Sequence, residues 1–205
     1  YKTAIVYRQL YKSKWQMTFD EIYSDFEKEF NTQRIAPIPS CEENIKKLNL
    51  GCGFRKIDGF INVDRSALCE PDVQHDLTQY PWPFKDGEIS HIVAKDILEH
   101  IHDLPSIMQE MYRVSKNGAV WEIQVPHPRS DMFLNDPTHV RPITPATIKM
   151  FDQKYIEGCV SRGEAESFFT FELGIDISIE DVKVRFFPAW EEKYKKKELT
   201  EAQIS

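Results

Sequence analysis

The chain has 205 residues, with 26 basic against 33 acidic side chains and a net charge of −7. Hydrophobic residues make up 41 % and charged residues 29 %, the balance of a globular domain, and 8 glycines and 12 prolines exclude a collagen-like or Pro/Gly-rich disordered chain. The acidic excess argues against non-specific nucleic-acid binding, and no apolar run approaches the roughly 18 residues of a membrane span.

Residues 1–45 read as an N-terminal helical extension. Thr18 caps an acidic turn at Asp20 and Glu21, and Phe19, Ile22, Phe26 and Phe30 recur at helical spacing, which predicts a helix over about 19–30. The opening YKTAIVYRQL lacks the apolar core of a signal peptide. From residue 46 to 190 the texture is that of one α/β domain, followed by a charged tail over 191–205. Strands are expected at 47–50, 60–64, 72–76, 89–94 and 119–125. A helix is expected from Leu104 to Val114, with Lys116-Asn117-Gly118 as its stop. Pro81-Trp82-Pro83-Phe84 is a rigid aromatic turn. His127 to Pro145 is a long loop rich in His, Arg and Pro, and loops of that length in a compact domain are usually functional. Thr144 caps a helix starting at Pro145, and Ser167–Ile177 with Asp181–Phe187 are expected as an antiparallel strand pair.

The pattern predicts a Rossmann-like, doubly wound and mainly parallel sheet closed by an antiparallel C-terminal hairpin. Ligands of such sheets lie beyond the carboxyl ends of the strands. The polar features gather there: Gly51-Cys52-Gly53, Asp64, Asp76, Lys95-Asp96 and His127 onward. A Gly-x-Gly turn admits a ligand close to the backbone, an acid ending the next strand can accept both ribose hydroxyls, and Asp76 with Leu77 can serve an adenine. A P-loop is absent, and Lys56 stands where a dinucleotide fingerprint needs its third glycine. Asp64 follows Gly51 by 13 residues, too few for a full first crossover helix. An adenosine derivative is therefore favoured over a dinucleotide.

Leu48-Asn49-Leu50-Gly51-Cys52-Gly53 with Gly59-Phe60-Ile61-Asn62-Val63-Asp64 resembles the opening of a class I S-adenosylmethionine-dependent methyltransferase, in the small subgroup with a shortened first crossover. His75-Asp76-Leu77, Pro81-Trp82-Pro83-Phe84, Ile97-Leu98-Glu99-His100, the stretch from Glu110 to Gly118, Val125-Pro126-His127 and Asp136 to Arg141 continue the resemblance in order over residues 47–152. The resemblance implies S-adenosyl-L-methionine as cofactor. It places Gly51, Cys52 and Gly53 at the methionine part, Asp64 at the ribose, and Asp76 and Leu77 at the adenine. Ala94, Lys95 and Asp96 would line the methionine side, although the subgroup often has His where this chain has Asp96. It also implies a small polar acceptor, a sugar or a cell-envelope intermediate.

His127, His139 and Arg141 are the expected catalytic residues. An imidazole can take a proton near neutral pH, and an arginine can clamp a carboxylate or phosphate. The same groups could equally tie the long loop together, and His100 is read as shaping the pocket wall. His127, Asp136 and His139 could supply three metal ligands, but no metal is expected, because the ordered resemblance already accounts for the loop. Cys41, Cys52, Cys69 and Cys159 show no metal or redox spacing and read as free thiols of a cytoplasmic protein. The competing readings are a catalytically idle cofactor-binding or interaction protein on the same fold, and a nicotinamide-dependent oxidoreductase.

Overall fold

A computed structural model describes residues 3–11, 46–164, 167–186 and 196. The strands are β1 (Thr3–Tyr11), β2 (Lys46–Leu50), β3 (Ile61–Asp64), β4 (Val73–Gln74), β5 (Ile89–Lys95), β6 (Ser115–Pro126) and β7 (Ile177–Phe186). They form a seven-stranded sheet in the order β4-β3-β2-β5-β6-β1-β7. The run from β4 to β6 is parallel, whereas β1 pairs antiparallel with both β6 and β7. From β2 the chain continues to β3 on one side, while β5 lies on the other. That reversal is the switch point where such sheets open a crevice.

Successive residues are buried along β2 and β5, because both faces of these parallel strands are covered. Leu48, Leu50, Ile92 and Ala94 are fully buried. Helix α1 (Leu104–Val114) buries Leu104, Ile107, Met108 and Met111 against the same core. Asp103 caps it by accepting from the Ser106 amide, and its last turn hands directly into β6. The expected stop at 116–118 is not used. Ser115 is already extended, its hydroxyl donates to Met111 O at 2.7 Å, and it accepts from Trp121 Nε1 at 2.8 Å. Gly118 therefore takes its φ of +76° inside β6.

The connection from β2 to β3 contains turns and no helix, as the 13-residue spacing requires. Two buried asparagines shape it. Asn49 Nδ2 donates to Asn62 Oδ1 at 2.9 Å and to Arg55 O at 3.0 Å, and Asn62 Oδ1 accepts from the Ile57 amide at 2.8 Å. Side-chain amides thus satisfy the backbone that a helix would have satisfied for itself. The arrangement supplies no helix N-terminus for a pyrophosphate, which weighs against the oxidoreductase reading.

The Trp82 turn is drawn inward. Trp82 is 2 % exposed and Nε1 donates to Leu77 O at 3.1 Å. Its backbone amide donates to Glu110 Oε1 at 2.6 Å, and Arg113 closes the network by donating to Glu110, Asp86 and the carbonyl of Phe84.

Three expectations need correction. The N-terminal extension was expected to be helical, but residues 3–11 form a sheet strand; the helix expected over 19–30 lies outside the described residues, as does nearly all of the 191–205 tail. Ser167–Ile177 is not a strand. It holds a short helix, α5 (Phe169–Leu173), which follows α2 (Asp131–Leu134), α3 (Pro145–Lys149) and α4 (Gln153–Ser161). Gly174 ends α5 in the left-handed conformation, and Phe169 stacks on Phe151 at 5.5 Å. The antiparallel edge is present as expected, but the partner of β7 is β1 rather than a preceding hairpin strand.

Candidate active site

The turn after β2 and the acid ending β3 are joined directly. Gly53 N donates to Asp64 Oδ2 at 2.9 Å, Ser66 N donates to Asp64 Oδ1 at 2.8 Å, and Cys52 N donates to Val63 O at 3.0 Å. Parallel pairing of β2 with β3 brings these groups together. Amide donors hold the carboxylate in one orientation and leave its remaining lone pairs for a ligand.

The two glycines serve different purposes. Both have positive φ, +60° at Gly51 and +50° at Gly53. A Cβ on Gly51 would meet Ile97 Cδ1 and Cγ1 at 2.7 Å, so its missing side chain makes room for protein. A Cβ on Gly53 would meet nothing within 4 Å, so its missing side chain leaves an open cradle beside Asp64.

Asp76 sits just past β4, partly exposed, and its Oδ1 accepts from both the amide and the hydroxyl of Thr78 at 2.9 and 2.8 Å. Those bonds hold its carboxyl below the usual carboxylate range. Leu77, Cys52 and Ala94 are buried in the core at 6 %, 3 % and 0 % exposure. Their side chains are packing groups, and only their backbone can face a ligand. Burial, with Cys69 and Asp64 close by, pushes the Cys52 thiol up to about 11.

Lys95 ends β5, and Asp96 follows with φ +53°, a conformation costly for a residue with a side chain. Its amide donates to Gln124 O at 2.8 Å, and its Oδ2 accepts from Arg55 NH2 at 3.3 Å. Arg55 comes from the β2–β3 turn, so this pair spans the switch point. Arg55, Gln124, Asn49 and Asn62 were not singled out in the sequence. The signal for the asparagines was a polar residue at a buried strand position, 3 % and 5 % exposed.

The expected catalytic trio is not one cluster. His127 Nδ1 accepts from the Arg129 amide at 3.2 Å, so in the neutral ring the proton sits on Nε2. Burial and the Arg129 charge hold its pKa below the ordinary imidazole value. His127 thus offers a donor, not a free base. Arg141 donates to the His102 carbonyl, which ties the long loop to the start of α1. His139 lies against Glu99 and His100 instead. His139 Nδ1 donates to Phe133 O at 2.9 Å, Phe133 stacks on its ring at 5.1 Å, and the ring centroids of His100 and His139 are 4.6 Å apart. Glu99 is fully buried, and desolvation pushes its carboxyl up to about 8.

Parts of the chain are similar to known proteins. Residues 48–121 match the family model for a methyltransferase domain. No curated protein matches the chain. Among solved structures, the chain is similar to a SAM-dependent methyltransferase from Archaeoglobus fulgidus, at 19 % identity and TM-score 0.46, covering 71 % of this chain and 70 % of that one. It is also similar to the YcgJ protein of Bacillus subtilis, at 17 % identity and TM-score 0.42, over 65 % and 77 % of the two chains. A third likeness is to a protein titled a putative S-adenosyl-L-methionine-dependent methyltransferase from Methanococcus maripaludis, at 19 % identity and TM-score 0.34, over 51 % and 56 %. The match to a methyltransferase domain spans just over a third of the chain. No helix among the described residues is long and apolar enough to cross a membrane.

Proposed function

We propose that the chain transfers a methyl group from S-adenosylmethionine to a nitrogen or oxygen of a small polar acceptor, in the manner of the subgroup with a shortened first crossover. The observation that carries the reading is the Gly53–Asp64 bond beside an open cradle: backbone without a Cβ and a carboxylate held by amide donors, at the carboxyl ends of adjacent parallel strands. Those residues fit the cofactor. Gly51 to Gly53 would support its methionine part through the backbone, Asp64 would accept the ribose hydroxyls, and Asp76 with the backbone of Leu77 would face the adenine. Ala94, Lys95 and Asp96 would border the methionine from β5.

When bound, the cofactor supplies a methyl on a sulfonium that is already a good leaving group. The protein's share is to align the acceptor and keep it unprotonated. We assign His127 to acceptor binding, as a neutral donor through Nε2, and Arg141 and His139 to shaping the acceptor side of the long loop. The acceptor class, a sugar or polar cell-envelope intermediate, follows from the sequence resemblance, and the negative net charge of −7 disfavours nucleic acid. We place the protein in the cytoplasm, in keeping with the free thiols of Cys52, Cys69 and Cys159.

Calorimetry with S-adenosylhomocysteine tests the reading. One site per chain is expected, and Asp64→Asn should weaken binding by about 1–3 kcal/mol through the lost charged hydrogen bonds. No heat with either form of the cofactor, or unchanged affinity in Asp64→Asn, refutes the assignment.

A further inference from the structure

Glu99 is the anomaly of the described structure. It follows β5 on a single 3-10 turn, Leu98–His100, and its side chain is 1 % exposed. Neither of its carboxylate oxygens has a hydrogen-bond partner. A buried acid in that state calls for a cation or a proton donor, because burial without a partner is among the costliest states a side chain can adopt.

The groups facing it are two imidazoles whose tautomers are set by their other bonds. His139 Nδ1 must carry the hydrogen it donates to Phe133 O, which in the neutral ring leaves Nε2 as a lone pair, 3.9 Å from Glu99 Oε1. His139 is itself 7 % exposed at its side chain. His100 Nδ1 lies 2.9 Å from Thr138 Oγ1, and that hydroxyl donates its hydrogen to Asp136 Oδ1 at 2.6 Å. The hydroxyl can then only accept from His100, so His100 also carries its hydrogen on Nδ1 and keeps Nε2 as a lone pair. One ligand atom each from Glu99, His100 and His139 lie within 4.8 Å of one another. Asp136 Oδ2 stands 3.8 Å from His139 Nε2 at the exposed side. The loop is held over this spot by Val140 N donating to Glu99 O at 2.9 Å.

We propose that Glu99, His100 and His139 form a binding site for a divalent transition-metal cation, with Asp136 as a fourth donor from the solvent side. Two imidazoles and a carboxylate are the donor set of zinc, cobalt or iron(II), whereas magnesium and calcium prefer oxygen alone. Imidazole Nδ1–H bonded to a backbone carbonyl, as in His139, is the outer-sphere arrangement that fixes a metal-binding tautomer. Thr138 and Asp136 play that part for His100. The cation would neutralise Glu99 and sit beyond the carboxyl end of β5. A second trio, Cys52, Asp64 and Cys69, is equally compact. It differs in that both oxygens of Asp64 already accept amides and Cys69 Sγ donates to Ser66 O.

From the sequence no metal is expected, and the three ligands it offers are His127, Asp136 and His139. In the structure Glu99 and His100, not His127, lie beside His139.

The test uses the full chain without a histidine tag, stripped with chelator and titrated with Co2+ and then Zn2+. Metal content, the visible absorption of bound Co2+ and the melting temperature are read together. One equivalent of Co2+ is expected, with a nitrogen- and oxygen-ligated spectrum, displacement by Zn2+, a raised melting temperature and no competition from Mg2+. Glu99→Gln and His139→Gln should each weaken Co2+ binding by at least about tenfold, and Thr138→Val by about tenfold through its loss of the His100 acceptor. His102→Asn, outside the cluster, should bind as the parent does. Failure of the unmodified chain to bind Co2+ or Zn2+ stoichiometrically overturns the proposal without reference to any variant's folding. Binding that survives in Glu99→Gln, His139→Gln and Thr138→Val alike also overturns it. Neither result bears on cofactor binding at Asp64, which calorimetry reads separately.

Discussion

Replacing Gly51 and Gly53 one at a time separates packing from ligand access within a single turn. Alanine at either position must hold a left-handed backbone, φ +60° or +50°, at a cost of about 1–2 kcal/mol. At Gly53 nothing more is added, since its Cβ would meet no atom within 4 Å. At Gly51 the Cβ would stand 2.7 Å from two atoms of Ile97 and 3.1 Å from its Cβ, so the whole side chain must move rather than its tip alone. Overpacking of that kind costs about 1–3 kcal/mol, which brings Gly51→Ala to about 2–5 kcal/mol in all. Urea unfolding of both variants measures the difference, provided that the slopes agree. Adding Ile97→Ala removes the obstacle, so the double variant should recover about 1–3 kcal/mol relative to additivity. Cofactor affinity should respond in the opposite order. Gly53→Ala keeps most of its stability yet fills the cradle and weakens binding. Equal costs at the two glycines, or no coupling with Ile97, would show that the close approach does not govern the turn.

Arg113→Ala should destabilise the fold by about 2–4 kcal/mol, because it strips the buried Glu110 of its forked partner while the carboxylate keeps only the Trp82 amide. Arg113→Lys should recover only part of that, since an ammonium cannot reach Glu110, Asp86 and the Phe84 carbonyl together; a change within about 0.5 kcal/mol in thermal unfolding would remove the network from the account of stability. Asp72 should shape the acid limb of the stability curve. Its Oδ2 accepts from Asn62 N and Nδ2, both at 2.7 Å, which holds its carboxyl below the ordinary value of 3.8. A folded pKa below the unfolded one means that its contribution is complete above the ordinary carboxylate value and is lost as pH falls through the folded value. Asp72→Asn should flatten that acid limb, and an unaltered limb would locate the acid sensitivity elsewhere.

The parts of the fold that could be read from the sequence are those whose causes are local. β2, β3 and β5 are short segments carrying Leu, Ile and Val and closed by Gly51, Asp64 and Asp96, and α1 is capped by Asp103 with a proline in its first turn. The antiparallel edge was harder. Thr3–Tyr11 pairs across to β6 and β7, more than a hundred residues on, and nothing in a nine-residue run names so distant a partner. Ser167–Ile177 looks like a strand in the sequence because a short apolar run does not distinguish strand from helix by periodicity alone. Contacts from outside it, Phe151 against Phe169 and Gly174 at the C-cap, decide the matter.

The two clusters at the strand ends differ in the same way. Gly53 and Asp64 are 11 residues apart on adjacent parallel strands, so an alternation of strands with a Gly-x-Gly turn suffices to bring them together. Glu99 and His139 are 40 residues apart, and they meet because the irregular loop after β6 folds back, with Val140 bonded to Glu99 and Arg141 to His102. No periodicity encodes that return. What the sequence does carry is chemistry without position: Glu99-His100 and Asp136-x-x-His139 each stand out by composition, and only the loop's path shows that they share one space. Arg141 and His127 follow the same logic in reverse. Their side chains look catalytic in isolation, but the carbonyl of His102 takes one Arg141 donor, and the amide of Arg129 occupies the His127 nitrogen that would act as a base. Reactive residue types in a loop therefore identify a site only after the loop's own backbone has taken its share of their hydrogen bonds.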